Sequence, residues 1–559
     1  MKSFLAFCNT LDYIAYLRNQ INTDLLLIII TSILLSIGIT FYFLFRSFKP
    51  IYIDYRAFRK VDWRVNIDKN KPKNKDAFDV IIVGSGIGGL SCGSILAAKG
   101  YKVLVLEQAQ NLGGYFASFK RKGFLFNVGV EDVSGLWVEN GTLSYFMKMT
   151  GLKKEDHFIE NRERQYYANG MSITLDDKSK HITHILSALF PEEKNIARFF
   201  ADAKKAYEEF FSNNKEYGIP LSPELIVRVF GLKKLLRFPK EKPNFYKWAT
   251  KNFRQKLDEY FKDEKLIDFV STLTHYIDAP LEKVPGGTAI VACLSYLIYG
   301  GGYLPKNAGA SFTEALREVI EKNGGSVLVS HKVDKISIVN GAVNGVRANG
   351  KFFSAPIVVS NANALHTYFD LVGTAQLDKK FTDSIKSLNL STSVFAAYLG
   401  VDMDLRKYPA IIANKDERFG FAITSNIDPV RAPKGQACVS IIEKDIAAHF
   451  PEYNTAAYAE KKSQKLNELI DKVERIIPSF REHIVVQDTA TPRTLERYTS
   501  MPEGALYCFE QSSNIKRPSF KSPIKGLYLS SASTGHGGGI ESVVMTGIIC
   551  SHDINNWGK

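Results

Sequence analysis

Three glycines, Gly84, Gly86 and Gly89, stand at GxGxxG spacing inside Asp79–Glu107, and the acidic residue Glu107 closes the stretch. That set suits a dinucleotide. Gly84 permits a tight turn, Gly86 lets the backbone approach a pyrophosphate, and Gly89 lets a helix pack closely on its strand. Ser85, Ile87 and Gly88 complete the turn, and the pyrophosphate would rest on the free N–H groups of the helix N-terminus. Glu107 lies at the usual reach of a ribose hydroxyl, roughly 20 residues on. A second glycine turn, Gly537-Gly538-Gly539 followed by Ile540, again offers N–H groups at a helix start. Three further residues are candidates for proton chemistry. Glu131 and Asp132 are adjacent acids, suited to acid/base work or to a cationic intermediate. Neighbours on a strand point oppositely, so one of the two should face a cleft. His536, inside the second turn, would titrate near neutrality or hydrogen-bond a ligand.

These residues need elements to hold them. Val80–Val83 and Val103–Leu106 are short apolar runs that read as buried parallel strands, with a helix between them. Gly113-Gly114 follows where the chain leaves the second strand, and Phe124–Val128 reads as a further strand. From Leu152 to Ala289 the pattern is helical, with long periodic runs such as Glu192–Phe211. Ser326–Ser330, Lys332–Val339, Ala342–Ala348 and Ile357–Ser360 read as strands, with Asn340-Gly341 as a hairpin turn. Ser393–Gly400 reads as a strand, Ala456–Ile476 as a helix, Gly526–Ser531 as a strand and Ile540–His552 as the closing helix.

The chain of 559 residues is long enough for more than one domain, and its formal charge of +14 is local. Arg46–Lys75 carries +7 and Arg228–Lys256 carries +9, leaving the remainder near neutral. Leu25–Phe45 is twenty-one residues without a charge, enough for a helix of about 31 Å. It reads as a membrane anchor, and the basic residues behind it place the C-terminal part on the cytoplasmic side. In Arg228–Lys256, Lys and Arg interleave with Phe, Leu, Tyr and Trp, a mixture that suits docking on an anionic bilayer and not nucleic acid. Six scattered cysteines, Cys8, Cys92, Cys293, Cys438, Cys508 and Cys550, show no metal-ligand spacing and read as buried small hydrophobes.

The glycine turn, Glu107, Gly113-Gly114, the FLFNVG segment, Gly300–Val329 and the GHGGG turn together resemble the FAD-dependent family of carotenoid (phytoene) desaturases, carotenoid isomerases and retinol saturases. Tyr115 follows the two glycines where the related amine oxidases usually place Arg, and Asn127 stands where the family often has Asp. The resemblance implies an α/β fold, a discontinuous Rossmann-type FAD-binding domain with an α+β substrate domain, to which the uncharged run Leu25–Phe45 adds one N-terminal transmembrane helix. It implies that Gly113 and Gly114 pass beside FAD, and that the Val333 backbone meets its adenine. Ser530-Ser531-Ala532 replaces an Asp common in the last turn, so no carboxylate contact carries over. The expected segments are a tail (1–23), an anchor (24–46), a basic linker (47–76), FAD-binding parts at 77–150, 300–370 and 486–559, and substrate parts at 151–299 and 371–485. The expected activity is desaturation or saturation of a polyene lipid, a carotenoid or retinoid, with an unidentified electron acceptor. Redox-neutral cis–trans isomerisation is the alternative. A non-catalytic prenyl-lipid carrier of the Rab GDP-dissociation-inhibitor type is the alternative of another class.

Overall fold

The computed structural model describes residues 31–32, 35–36, 76–175, 182–212, 225–227, 231–277, 279–512 and 515–556. The chain divides into two units, Met1–Ile53 and Asp54–Lys559. In the first, Thr31, Ser32, Leu35 and Ser36 are helical and exposed. The rest of the predicted anchor Leu25–Phe45, the basic stretch Arg46–Lys75 and Arg228–Phe230 lie outside the described residues. Among the described residues no helix is long and apolar enough to cross a membrane.

In the second unit the two apolar runs beside the glycine turn are neighbouring strands, Val80–Val83 and Val103–Leu106. They belong to a five-stranded parallel sheet whose order is Leu527–Leu529, Ile357–Ser360, Val80–Val83, Val103–Leu106 and Ser326–Leu328. Alternate side chains leave opposite faces, and both faces are covered, which is why these strands read as continuous apolar runs. Val80, Ile82, Val103 and Val105 pack against the helices Ile87–Ala98, Ala310–Lys322 and Ile540–Ile554. Ile81, Val83, Leu104 and Leu106 pack against a three-stranded antiparallel layer, Val333–Val339, Ala342–Ala348 and Lys351–Ser354. Its first turn holds Asn340 at φ 51° and Gly341 at φ 74°, the left-handed pair that matches the twist of a two-residue hairpin.

A second, seven-stranded sheet runs Ile484–Ala490, Ser393–Val401, Ala437–Asp445, Phe419–Ile423, Ile411–Asn414, Arg164–Ala168 and Met171–Leu175. Ile411–Asn414 pairs in parallel with Arg164–Ala168, so segments more than 200 residues apart share one sheet. Phe158–Asn161, Arg164–Ala168 and Met171–Leu175 are strands, which corrects the purely helical reading of 152–289. Each is only four or five residues long, too short for an alternation to stand out beside the long helical runs. Helix Ala456–Glu474 covers one face through Leu466, Leu469, Ile470 and Val473.

The basic–aromatic stretch also needs correction. Phe245, Trp248, Phe253 and Leu257 are buried in the core around helix Ile196–Phe211, so most of its aromatics are not a surface. Cys92, Cys293, Cys438, Cys508 and Cys550 are all buried free thiols, as expected of small hydrophobes. Cys8 lies outside the described residues.

Candidate functional site

The first glycine turn is built for close backbone approach. Gly84 sits at φ +92°, a conformation that favours glycine. A Cβ on Gly89 would come 2.6 Å from the Gly84 carbonyl oxygen, and one on Gly86 would collide with the side-chain oxygen of Asn361. Helix Ile87–Ala98 begins at Gly86 with no side-chain cap and no acid in its first turn. Its leading N–H groups are therefore left for an anion. Gly113 bridges Gly86 in parallel, and the Cβ position of Gly114 lies 3.7 Å from the Gly86 α-carbon. Bare backbone thus forms this wall of the site.

Glu107 is 8% exposed and anchored before any ligand arrives. Its Oε2 accepts from the Ser85 N–H at 2.8 Å and the Ser85 hydroxyl at 2.7 Å, and its Oε1 accepts from the Ala109 N–H at 2.8 Å. Ser85 is wholly buried in this contact and, like Gly89, does not line the cavity, which corrects its assignment as a cofactor contact. Asn361, to which the sequence reading gave no role, and Ser530, from which it expected no carboxylate contact, complete the turn. The Asn361 amide donates to the Ser530 carbonyl at 2.6 Å, and the Ser530 hydroxyl donates to the Gly88 carbonyl at 2.8 Å. Ser530 therefore ties the last strand to the first turn, in the place where the family's Asp was expected. Asn127 likewise has a holding role. Its Oδ1 accepts from the Gly129 and Val130 N–H groups, and its amide donates to the Ala308 carbonyl.

The second glycine turn supplies less than expected. The Gly537 N–H donates to Thr534 and the Gly538 N–H donates to Gln511 at 2.7 Å, so neither is left for a phosphate. Gly537 does not line the cavity, whereas Gly538, Gly539 and Ile540 do. Helix Ile540–Ile554 starts at Gly539 without a side-chain cap, so its first N–H groups are the ones available. His536 is absent from the cavity wall. Burial pushes its imidazole down to about 4, which removes the expected titration near neutrality.

Glu131 and Asp132 both line the cavity, and both are committed to buried arginines. Asp132 takes a bidentate bond from Arg164, Nη1 to Oδ2 at 2.6 Å and Nη2 to Oδ1 at 2.7 Å, with the Arg164 side chain fully buried. Burial opposes the Arg164 charge, but Asp132 outweighs it and holds the guanidinium pKa well above its ordinary value. The Arg164 guanidinium also lies over the Tyr296 ring, 5.2 Å from its centroid. Glu131 accepts from Arg431 Nη1 at 2.6 Å and from the Ser440 hydroxyl at 3.0 Å. Burial raises the Glu131 carboxyl, with Arg431 and Ser440 pulling the other way. Arg431 also donates to the Pro305 carbonyl and pairs with Asp428, whose Oδ2 takes the Asn307 N–H. That chain of bonds holds Asn307 and Ala308 at φ 51° and 53°. The adjacent acids do diverge, although they stand in a loop and not on a strand, and each meets an arginine of its own. A free acid/base pair is not formed.

One cavity of about 1310 Å³ joins these parts. Gly84, Gly86, Glu107, Gly113, Gly114 and Val333 line one end, and Gly538–Glu541 lies on its wall. Beyond Tyr115 and Glu131–Ser134 it continues between Val291, Tyr296, Ile412, Phe421, Ile442 and Leu506. Tyr115 is fixed by its hydroxyl, which donates to the carbonyls of Gly504 and Ala505. The uncapped helix start, the glycine wall and the anchored Glu107 fit the diphosphate and ribose of FAD.

The model of the family described as flavin containing amine oxidoreductase matches residues 87–555. Prolycopene isomerase of Daucus carota is 24% identical over 500 residues, covering 85% of this chain and 80% of that protein. All-trans-retinol 13,14-reductase of Danio rerio is 23% identical over 550 residues, covering 86% of each. Among solved structures, an oxidoreductase from Methanosarcina mazei superposes with a TM-score of 0.58 at 17% identity, covering 84% of this chain and 99% of that one.

Proposed function

The chain belongs to the flavin containing amine oxidoreductase family, and on that premise we propose that it is an FAD-dependent oxidoreductase of a conjugated polyene lipid, forming or saturating carbon–carbon double bonds. One observation carries the reading. The glycine-walled end of the cavity continues past Tyr115 into a part walled by Val291, Tyr296, Ile412, Phe421, Ile442 and Leu506, with charged residues such as Lys415, Asp416 and Glu443 also on its lining. A long apolar ligand and the cofactor would therefore share one space. Bound FAD supplies the two-electron hydrogen chemistry. The chain's own residues do the positioning. The first turns of helices Ile87–Ala98 and Ile540–Ile554 present N–H groups to negative charge, and Glu107 stands by the ribose. The Glu131–Arg431 and Asp132–Arg164 pairs brace the wall between the cofactor end and the apolar end. Relatives named for prolycopene isomerisation and all-trans-retinol reduction support the polyene class. The carrot relative favours a second reading, redox-neutral cis–trans isomerisation. Incubation of oxidised and anaerobically reduced protein with polyenes separates them, because desaturation or saturation changes product mass by two hydrogens and isomerisation leaves it unchanged. A protein that binds no flavin, or converts no polyene in either redox state, refutes both.

We also propose that the protein works at a membrane, with Leu25–Phe45 as anchor and the catalytic unit on the cytoplasmic side. The docking element narrows to helix Leu232–Glu241. Leu232 and Leu236, one turn apart, are 47% and 54% exposed amid Lys233, Lys234, Arg237 and Lys240. The double variant Leu232→Asp/Leu236→Asp should lose co-sedimentation with anionic vesicles when residues 1–53 are removed. Unchanged sedimentation would exclude this helix.

A further inference from the structure

Glu541 differs from the two acids already described. It lies in the first turn of helix Ile540–Ile554, lines the cavity and is 6% exposed. Its Oε2 accepts from the Ser134 hydroxyl at 2.7 Å. Its Oε1 has no hydrogen-bond partner among the described residues. The carboxyl group packs over the α-carbon of Gly135, at φ +82°, where a Cβ would come 2.8 Å from both the carboxyl carbon and Oε1. The groups facing it are the Ser134 and Thr142 hydroxyls and the Tyr207 phenol, and among the described residues no cation answers its charge. Glu131 and Asp132 each have an arginine; Glu541 has none among those residues. A carboxylate buried without a cation is costly, so the neutral acid is favoured. Burial pushes its pKa up to about 7, with the Ser134 and Thr142 hydroxyls pulling the other way.

We propose that Glu541, whose side chain stands on the cavity wall with no cation beside it among the described residues, is the residue through which the cavity exchanges a proton with its polyene ligand. The proposal rests on the reading of the chain as a polyene enzyme. Saturating a double bond forms two C–H bonds, one from a hydride and one from a proton. The Glu541 O–H bond breaks to give the proton, reduced flavin is the source of the hydride, and a solvent proton restores the carboxyl. Desaturation runs the same exchange backwards, with the Glu541 carboxylate as acceptor. In isomerisation the proton added at one carbon is returned to Glu541 after rotation, with no net redox change. An acid whose pKa lies near working pH serves in either direction.

The test pairs flavin-loaded wild type with Glu541→Gln, which keeps the size of the side chain and removes the exchangeable acid. We expect unchanged flavin content, turnover of polyene lowered on the order of 10²-fold, and loss of the pH–rate limb near neutrality. In infrared difference spectra, wild type should show a protonated-carboxyl band that titrates near pH 7 and is missing in Glu541→Gln. Turnover and pH profile like wild type, or a Glu541 already ionised at pH 6, would overturn the proposal. A preparation without flavin, or without polyene turnover, would overturn the enzyme reading instead, and the infrared titration would still decide the state of Glu541. Should Glu541→Gln fail to fold, Glu541→Asp, which withdraws the acid from Gly135, serves for the kinetic comparison.

Discussion

Replacing Asp132 by Asn tests whether this acid is a structural partner or a reacting group. Asp132 neutralises a fully buried guanidinium through two bonds of 2.6 and 2.7 Å. The amide in its place would keep the shape and one acceptor but leave the Arg164 charge unanswered. Breaking a buried pair on one side costs about 3–5 kcal/mol, most of it the desolvated charge left behind. With an m-value of about 3 kcal/mol/M in urea, that lowers the unfolding midpoint by about 1 M or more. Arg164→Met alone should also destabilise, because among the described residues Asp132 would retain the Tyr276 hydroxyl at 3.4 Å and no cation. The double variant Asp132→Asn/Arg164→Met should be more stable than the two single losses added together, with an interaction energy of about 2–3 kcal/mol. Urea titrations followed by tryptophan fluorescence and flavin release measure all four corners of the cycle. An Asp132→Asn protein within about 1 kcal/mol of wild type that has lost turnover would refute the argument, since Asp132 would then act on the ligand and not on Arg164.

Other expectations follow from neighbouring geometry. A Cβ on Gly302 would come within 2.7 Å of the Asp132 carboxylate, the Arg164 guanidinium and the Tyr296 ring, so Gly302→Ala should cost about 1–3 kcal/mol, read as a lowered thermal midpoint. Gly86→Ala pushes a methyl group against Asn361 in the bare wall; flavin content at purification should fall at least tenfold while circular dichroism stays like wild type. For Glu541 the folded pKa of about 7 lies above the value of 4.5 that the free side chain has. The folded state therefore holds more protons between those values, and stability falls as pH rises from about 4.5 to about 7. At 1.36 kcal/mol per pH unit the whole drop is about 3 kcal/mol. Glu541→Gln should gain stability relative to wild type by that amount between pH 4 and pH 8, measured by urea titration; a constant difference across the range would exclude a raised pKa.

Much of the cofactor end was legible because its physics is local. Val80–Val83, Val103–Leu106 and Ile357–Ser360 announce themselves as apolar β-branched runs, and Asn340-Gly341 needs only its own backbone angles to be a turn. What failed to show were partnerships across distance. Nothing near Glu131 or Asp132 points to Arg431, 300 residues on, or to Arg164, 32 residues on, so the two acids looked free. The strand Arg164–Ala168 was hidden among helical segments because one of its partners, Ile411–Asn414, comes more than 200 positions later, and among the described residues Met171–Leu175 pairs only with Arg164–Ala168. Gly537 and Gly538 looked like phosphate ligands because the sequence does not reveal that Thr534 and Gln511 take their N–H groups. Glu541 had a readable signal, an acid one residue inside a mostly apolar helix directly after three glycines. Its significance appears only once it is seen on the cavity wall with no cation beside it among the described residues.

The bond from Ser530 to Gly88 spans 442 residues, and helix Ile540–Ile554 lays Gly547 directly on the Gly88 carbonyl, Ser91 and Cys92. This makes cofactor loading an event of late biosynthesis. While the ribosome is still adding residues 360–520, the helix Ile87–Ala98 has a naked apolar flank and a turn with half its ties missing. Such a nascent chain is a client for holding chaperones. A message truncated between about residues 491 and 526 would encode all seven strands of the second sheet but neither the Ser530 tie nor the helix that closes the nucleotide cradle. Uptake of FAD would then mark a translation product as finished.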